Sequence, residues 1–413
     1  MKKPELLAPA GNLDILKIAF LYGADAVYCG TPDFAMRSRV GFDLATLKEG
    51  IDYTHSIGKK IYVTINAFPH SDQIAKLRRH IPKIIAQGPD ALIIADPGVL
   101  AFAHERYPKM PIHLSTQANT TNYLAASFWK KQGVKRIVLA RELNLTNIKM
   151  IKSKAKVSLE CFVHGAMCMA YSGRCQISNY MVGRDPNQGQ CIQACRFKYK
   201  MYALEEEYRP GQVYPILEDE SGSYILNSKD LCMIEHIPDL INAGIGSFKI
   251  EGRLKTEYYV ATIIRAYRDA IDLFFLDPKL YKKSRTALKK ELSKASNRGF
   301  TTGFFLEKPT KDSNNYQSSK ATSEWGYIGR VIGYDDKRKR LKFEVKNYLP
   351  VNSKIEIITP RRSDDPIVKN PSTVIKKLYR DDLQIETAHA GNIVEIPFTR
   401  FVPKDSFVRV KLI

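Results

Sequence analysis

Residues 5–30, ELLAPAGNLDILKIAFLYGADAVYCG, decide the fold of the chain. The short apolar run Glu5–Ala8 predicts a buried strand, and apolar residues at helical spacing follow over residues 13–22. Gly23 is typical of a helix end, and a second apolar run covers Ala26–Cys29. Strand, helix and strand in this order form a βαβ unit, which brings two parallel strands side by side.

The same pattern recurs along the first 250 residues. Six further runs rich in Val, Ile and Leu are typical of strands, and amphipathic helical stretches separate most of them. These runs are residues 60–66, 90–96, 111–117, 135–141, 156–163 and 246–252. The alternative to a barrel is an open doubly wound sheet, but Gly11, Gly23 and Gly30 do not form the G-x-G-x-x-G loop of dinucleotide-binding sheets. Because eight parallel strands are what a closed β/α barrel requires, we predict a TIM-like (β/α)8 barrel.

A different pattern begins after residue 308. Residues 309–323 are polar and poor in apolar side chains, which indicates a linker. Residues 324–413 carry short alternating strands at about 10-residue spacing, which is typical of a small antiparallel β-barrel. We therefore predict a barrel domain over residues 1–308 and a C-terminal β-barrel domain over residues 324–413. Residues 254–295 are predicted to be helical, and the strong apolar face of residues 254–275 is predicted to close the barrel.

Composition and charge limit the possible functions. The chain has 413 residues, of which 44% are hydrophobic and 26% charged, as is usual for soluble globular proteins. A net charge of +21 attracts polyanions, either nucleic acid or an anionic membrane surface. The sequence shows no secretion signal and no apolar run of membrane-spanning length, so we expect a cytoplasmic protein. The basic run at residues 337–340 predicts either a solvated hairpin tip or a loop that contacts phosphates.

Five of the seven cysteines lie within residues 160–196, ECFVHGAMCMAYSGRCQISNYMVGRDPNQGQCIQACR. The glycines between them let the backbone turn sharply, so that several sulfurs can face one centre. In a reducing compartment such a cluster indicates a metal or iron–sulfur site rather than disulfides. Only one short pair, Cys191 and Cys195, is present where structural zinc sites usually have two, and this favours iron–sulfur over zinc. We expect Cys29 and Cys161 to be small buried hydrophobic residues.

Polar residues follow several predicted strands at the end where β/α barrels carry their active sites. They are Asn66, Asp96, Gln117, Arg141, Glu142, His164, Glu251 and Arg253. Residues 160–235 would then form an insertion between strands seven and eight that begins at the same mouth. His164 and Glu251 are acid–base candidates from this position. The alternative is that polar residues simply begin polar loops.

The motif E-x-F-x-x-G-A-x-C-x-x-x-x-G-x-C-x-x-S runs from Glu160 to Ser178. The stretches LLAPAGN, GRDPNQGQC, NSKDLC and FKIEGR accompany it. With these motifs the chain resembles the peptidase U32 family over its whole N-terminal domain. Its C-terminal β-domain resembles the one in the tRNA-modifying branch of that family. The resemblance implies an enzyme that hydroxylates uridine 34 of the tRNA anticodon to 5-hydroxyuridine.

The resemblance also implies a cofactor and a co-substrate. The better understood members carry a [4Fe–4S] cluster on four cysteines, and the tRNA branch depends on prephenate rather than molecular oxygen. By this resemblance the predicted ligands are Cys168, Cys175, Cys191 and Cys232, with Cys195 in reserve. Arg141 and Arg253, with Lys249, are then candidates to pair with the carboxylates of prephenate.

Two other functions are compatible with the sequence. The older label of the family implies a peptidase that acts on collagen-like substrates, but the chain has no G-x-S-x-G elbow and no H-E-x-x-H motif. Cys161 and His164 are three residues apart, and on an extended strand such residues face opposite sides. The other function is a non-catalytic tRNA-binding protein stabilised by structural zinc.

Overall fold

The computed structural model describes residues 2–35, 41–168, 170–196, 218–219, 222–223, 228–307, 323–361 and 370–412. These residues form two units. The first draws on residues 1–20, 24–255 and 297–321, and the second on residues 21–23, 256–296 and 322–413.

A ring of parallel strands forms the core of the first unit. The strands of this unit in chain order are β1 (Glu5–Pro9), β2 (Ala26–Gly30), β3 (Lys60–Ile65), β4 (Ala91–Ile94), β5 (Ile112–Leu114), β6 (Arg136–Val138), β7 (Ser158–Ala166), β8 (Glu218–Asp219), β9 (Gly222–Ser223), β10 (Asp230–Cys232), β11 (Ser247–Ile250) and β12 (Phe300–Thr301). The ring consists of β1 to β7 and β11. Strands β1 to β7 pair in sequence order, and β11 pairs in parallel with both β7 and β1. The eight strands therefore close into a barrel, and all eight sequence predictions of barrel strands are confirmed.

Helices connect the barrel strands. They are α1 (Leu13–Leu21), α2 (Leu44–Ser56), α3 (Ser71–Ile85), α4 (Pro97–Arg106), α5 (Tyr123–Lys131), α6 (Leu145–Ala155), α7 (Ile177–Val182) and α8 (Ile237–Asn242). Short polar side chains begin several of them by accepting a hydrogen bond from a backbone N–H of the first turn. They do so at α2, α4, α5 and α6, through Asp43, Asp96, Asn122 and Asn144.

The segment between β7 and β11 is the predicted insertion. Strand β7 is nine residues long and continues past its pairing with β6. Its last residues pair antiparallel with β10, and β12 adds in parallel to β10. Short 3-10 turns at Pro186–Gln188 and Ala194–Arg196 lie between these strands in the chain. The insertion therefore starts at the carboxyl ends of the barrel strands, as the sequence predicted.

The second unit contains two helices and an antiparallel sheet. The helices are α9 (Glu257–Leu276) and α10 (Pro278–Ser293). The strands are β13 (Trp325–Asp335), β14 (Arg340–Val345), β15 (Leu349–Pro350), β16 (Lys354–Ile358), β17 (Ser372–Val374), β18 (Leu378–Arg380), β19 (Leu383–Ile385), β20 (Thr387–Ala388), β21 (Ile393–Pro397) and β22 (Phe407–Lys411). Eight of them form one sheet in the order β17-β16-β22-β13-β14-β21-β18-β19, and β15 pairs with β20. Their inward faces bury an apolar core that includes Val331, Phe343 and Val408.

The predicted fold class is confirmed in both parts, as a closed TIM-like barrel and a C-terminal antiparallel half-barrel. Helices α9 and α10 belong to the second unit, whereas the sequence led us to place both in the barrel domain and to expect residues 254–275 to close the barrel. The physical reason is their amphipathic pattern, which requires an apolar partner without saying which one. The predicted linker at residues 309–323 lies almost wholly outside the described residues, and the domain boundaries stay predictions.

The structure bears on two further expectations, which concern a membrane-spanning segment and the basic run at residues 337–340. Among the described residues no helix has the length and apolar character needed to cross a bilayer. The basic run forms the turn between β13 and β14, and three of its four cations are paired with aspartates. Arg338 and Arg340 each lie 2.9 Å from Asp382, and Lys339 lies 2.7 Å from Asp336. This pairing favours the hairpin-tip interpretation over a phosphate-contacting loop.

Candidate functional site

A cavity of about 120 Å³ lies at the carboxyl ends of the barrel strands, within the first unit. Barrel residues form one side, and the cysteine-rich insertion forms the other. The main barrel residues are Tyr28, Arg141, Phe162, Lys249, Glu251 and Arg253. The insertion contributes Cys168, Cys175, Cys191 and Cys195. The structure therefore brings four of the five clustered cysteines, both predicted arginines and one predicted acid–base residue to one opening.

The local structure of the insertion explains how the thiols converge. Asn187 fixes the loop around Cys175, because its Nδ2 donates to the Cys175 carbonyl at 2.8 Å and its Oδ1 accepts from the Cys175 N–H at 3.4 Å. Gly173 has φ +73°, and a Cβ there would lie 2.1 Å from the carbonyl oxygen of Gln117. Only glycine lets the two backbones approach this closely.

Burial and neighbouring thiols both affect the protonation of Cys175. Burial raises the pKa of Cys175, and the neighbouring Cys191 and Cys168 raise it further because like charges repel. Cys168 is exposed, and Cys175, Cys191 and Cys195 are half-buried. Among the described residues no group of three or more His, Cys, Asp or Glu side chains stands in metal-binding geometry.

Cys232 and His164 are not among the residues that line the cavity, although the His164 carbonyl accepts a hydrogen bond from the backbone N–H of Glu251 at 2.9 Å. Cys232 is buried in β10, directly opposite His164 of β7. Burial lowers the pKa of His164 to about 3, so its imidazole is neutral. The reserve ligand Cys195 lines the cavity. Which of Cys232 and Cys195 is the fourth ligand stays a prediction.

The guanidinium of Arg141 contacts both a cysteine sulfur and a carboxylate at the cavity. Its Nη1 lies 3.7 Å from the Cys168 sulfur, and its Nη2 lies 3.5 Å from Glu251 Oε2. The guanidinium stacks over the Phe162 ring at 4.0 Å from the centroid. A positive charge held this way can bind an anion.

Thr64 and Tyr28 hold the side chain of Arg253. Its Nη1 donates to Thr64 Oγ1 at 3.0 Å, and its guanidinium lies 5.8 Å from the Tyr28 ring centroid. Arg253 is buried, so its charge acts in a medium that screens it weakly. Two arginines on aromatic faces therefore flank the opening.

A charged network inside the barrel reaches the cavity through Lys249, and sequence reasoning gave no role to its other members, Glu160, Arg136 and Glu5. Lys249 points its ammonium at Glu160, and Arg136 contacts both Glu160 and Glu5. Burial opposes ionisation of Glu160, but Lys249 and Arg136 outweigh it and lower its pKa. The sequence does contain a signal for this network, because Glu160 and Lys249 are charged residues inside otherwise apolar strand runs.

The remaining strand-end residues divide into two groups. Asn66 and Gln117 line the cavity, and Asn66 Nδ2 donates to Ser115 Oγ at 3.2 Å. Asp96 instead caps α4. Glu142 accepts from the Ser172 N–H at 2.7 Å and so anchors the cysteine-rich loop. For these two residues the alternative of an ordinary loop role is correct.

Models of known families match nearly the whole chain. A model described as peptidase family U32 matches residues 11–315. A model described as the peptidase family U32 C-terminal domain matches residues 323–409.

Several relatives are similar over most of their length. A tRNA hydroxylation protein P of Helicobacter pylori (strain ATCC 700392 / 26695) is 41% identical over 434 aligned positions, which cover 100% of both chains. A tRNA hydroxylation protein P of Escherichia coli (strain K12) is 39% identical over 400 positions, covering 87% of each chain. A 23S rRNA 5-hydroxycytidine C2501 synthase of the same E. coli strain is 38% identical over 274 positions, which are 65% of this chain and 39% of the synthase.

Proposed function

This chain belongs to peptidase family U32, and we propose that it is an RNA-modifying enzyme that hydroxylates a tRNA nucleotide. The observation that carries the proposal is the position of four cysteines and two arginines around one cavity at the barrel mouth. The names of full-length relatives, which are tRNA hydroxylation proteins, support it. The finer proposal is that uridine 34 of the anticodon becomes 5-hydroxyuridine.

The shape and chemistry of the cavity suit a flipped base. A base in the anticodon loop can leave its stack at a cost of a few kcal/mol and enter a pocket that recognises it by stacking and hydrogen bonding. The aromatic residues Tyr28 and Phe162 line the cavity, and Asn66 and Gln117 supply amide groups. The amides can pair with the edge of a pyrimidine, while C5 of that pyrimidine stays accessible to the reactive side of the site.

The donor set fits an iron–sulfur cluster. We propose that Cys168, Cys175 and Cys191 hold a [4Fe–4S] cluster together with Cys232, with Cys195 as the reserve. Thiolates are the usual ligands of such clusters, and four thiols line this cavity. When bound, the cluster would supply electron transfer or bind and polarise an oxygenated substrate. Arg141, 3.7 Å from the Cys168 sulfur, would place a hydrogen-bond donor beside one ligand of the cluster.

The small anionic co-substrate is proposed to be prephenate, bound through its carboxylates. Arg253 and Lys249 are the buried cations at the opening, and Arg141 shares its charge with Glu251. A bidentate guanidinium–carboxylate pair would orient such a molecule beside the base. Glu251 lines the cavity and is proposed to move a proton. His164 is likewise proposed to move a proton. Its neutral ring does not line the cavity and lies beside Phe300.

Deletion of the gene, followed by mass spectrometry of tRNA nucleosides, tests the function. We expect 5-hydroxyuridine and its derivatives to disappear, and to return with the intact gene but not with a Cys175→Ser copy. A strain in which no second pathway forms these nucleosides is required. Unchanged 5-hydroxyuridine in such a strain would refute the proposal. Supplying or withholding prephenate to the purified enzyme tests the co-substrate separately.

A further inference from the structure

A second hollow, of about 510 Å³, opens beside the cysteine cavity within the first unit. The two spaces share three lining residues, Gln117, Gly173 and Asn187. In the wall between them, Gly173 lies against the carbonyl of Gln117. A ligand in the cavity and a ligand in the hollow would therefore be close neighbours.

The lining of the second hollow combines flat apolar surfaces with one cation. Phe68 and Trp129 supply aromatic rings, and Ala95 and Pro97 supply aliphatic surface. Both aromatic residues are half-buried, so each keeps part of its ring accessible. Arg174 is exposed at the rim, and its guanidinium makes no ion pair with any residue that the structure describes.

This combination matches a nucleotide. Accessible aromatic rings stack on bases, and an unpaired arginine binds phosphate. We propose that this hollow binds the nucleotide adjacent to the one that enters the cysteine cavity, with its base on Trp129 and its phosphate at Arg174. The inference rests on the proposed function, because it requires an RNA strand that reaches the cavity. It adds a binding subsite that positions the strand and does not take part in the reaction.

The net charge of the chain favours RNA over a protein segment as the occupant of the hollow. The chain has a net charge of +21, and a single-stranded nucleic acid carries one negative charge per nucleotide. Stacking is tolerant of base identity, so the hollow would hold a neighbouring nucleotide without restricting its sequence. A hydrophobic peptide would leave the cation at the rim without a partner.

Trp129 itself can report the contact. The chain has two tryptophans, so Trp325→Phe leaves Trp129 as the single tryptophan without altering the hollow. We expect a 17-nucleotide anticodon hairpin to quench the fluorescence of this variant on binding. In the reciprocal variant, Trp129→Phe, the hairpin should leave the remaining fluorescence unchanged. Hairpin binding with no quenching of Trp129 would overturn the inference.

A coupling measurement tests the stacked base. Hairpins that lack the base on either side of uridine 34 are titrated against the wild type and against Trp129→Leu. At one of these two hairpin positions, removal of the base should weaken binding to the wild-type protein roughly 5- to 150-fold, which is the range found for aromatic stacking. The same removal should have little effect on binding to the Trp129→Leu protein. Equal losses in both proteins would contradict the inference. This measurement keeps its meaning if the nucleoside analysis of the deletion strain refutes the hydroxylation proposal.

The salt dependence of binding tests Arg174. Arg174→Ala removes one phosphate contact and should lower the slope of log affinity against log salt by about 0.7. The control is Arg106→Ala, which removes an exposed arginine from the last turn of α4, at the opposite end of the barrel from the mouth. If the two variants have equal slopes, or if no hairpin binds at all, the inference is wrong.

Discussion

The Nζ atom of Lys249 donates to Oε1 of Glu160 at 2.8 Å inside the barrel. The two side chains are 4% and 0% exposed, so neither charge is compensated by water. Arg136 lies 3.2 Å from the other Glu160 oxygen and also contacts Glu5. Two cations and two carboxylates thus neutralise one another directly beneath the cysteine cavity.

Replacing Glu160 with Gln should lower the free energy of unfolding by about 3–5 kcal/mol, because the change removes the carboxylate that neutralises the buried Lys249. Denaturant unfolding with linear extrapolation measures this loss. The matched control is Glu49→Gln, which removes an exposed carboxylate 3.3 Å from Lys17 and should cost less than about 1 kcal/mol. A Glu160→Gln protein as stable as the control would show that the network contributes little to stability.

The stability of the protein should fall as the pH is lowered from 6.5 towards 3, partly because of His113. Burial lowers the pKa of His113 to about 3, with Arg136 lowering it further. Between this value and the unfolded pKa of about 6.5, the unfolded chain binds the extra proton, so stability rises with pH across that window. The contribution of one histidine is about 1.4 kcal/mol per pH unit.

The variant His113→Phe tests this titration. It keeps a ring against Tyr62, whose centroid lies 4.7 Å from that of His113. Between pH 4.5 and 6.5 the pH dependence of its unfolding free energy should be smaller than that of the wild type by about 2–3 kcal/mol in total. Identical pH profiles for the two proteins would argue that His113 is not the group that titrates.

Single cysteine replacements test the proposed cluster. Anaerobically purified wild type should contain about four iron and four sulfide ions per chain, with the visible absorption of such a cluster. Cys168→Ser, Cys175→Ser and Cys191→Ser should each lose most of both, whereas Cys29→Ser, a change to a buried thiol of β2, should keep them. One zinc ion without sulfide in the wild type would instead favour a structural zinc site.

The fourth ligand is decided by a pair of variants. Our prediction is that Cys232→Ser loses the cluster and that Cys195→Ser keeps it. The reverse result would assign the fourth position to Cys195, which lines the cavity. Chelation of the metal followed by unfolding measurements would add whether the bound cluster stabilises the fold.

Two glycines of the insertion give a matched test of the close approach between the backbones of Gly173 and Gln117. Gly173→Ala adds a Cβ that would lie 2.1 Å from the Gln117 carbonyl oxygen, at φ +73°. Gly183→Ala has a similar φ of +65° and nothing within 4 Å. We expect about 1 kcal/mol of destabilisation for Gly183→Ala and about 2–4 kcal/mol for Gly173→Ala, because only the latter combines backbone strain with overpacking.

Thermal unfolding of both glycine variants checks this difference. The Gly173→Ala protein should also lose iron and tRNA hydroxylation, since its loop must shift. Equal melting temperatures for the two variants would mean that the backbone at this close approach can relax without cost.

The barrel was predictable because its strands are buried on both faces. Runs such as Ala91–Ile94 leave a continuous apolar signal, and the βα repeat fixes their parallel order. The family motif from Glu160 to Ser178 identified the cysteine-rich loop, and the family is confirmed. The assignment of residues 254–295 to the barrel was less secure, since an apolar helical face does not specify its partner.

The site was predictable only in part. Strand-end position placed Arg141, Glu251 and Arg253 at the mouth, because parallel strands bring their carboxyl ends to one rim. The same rule failed for Asp96, because a short acidic side chain after a strand serves equally well as a helix cap. Strand β7 pairs with β10, where His164 lies opposite Cys232, and a pairing that joins residues 68 positions apart leaves no local pattern in the sequence.

The position of β11 has a consequence for synthesis on the ribosome. The ring closes only when Ser247 of β11 lies beside Glu5 of β1 and Glu160 of β7. The nascent chain therefore presents the open edges of β1 and β7 while the whole insertion is being made, and unpaired edges recruit other strands. Any truncated product that stops before residue 247 should accumulate as insoluble aggregates, however complete its cysteine-rich loop.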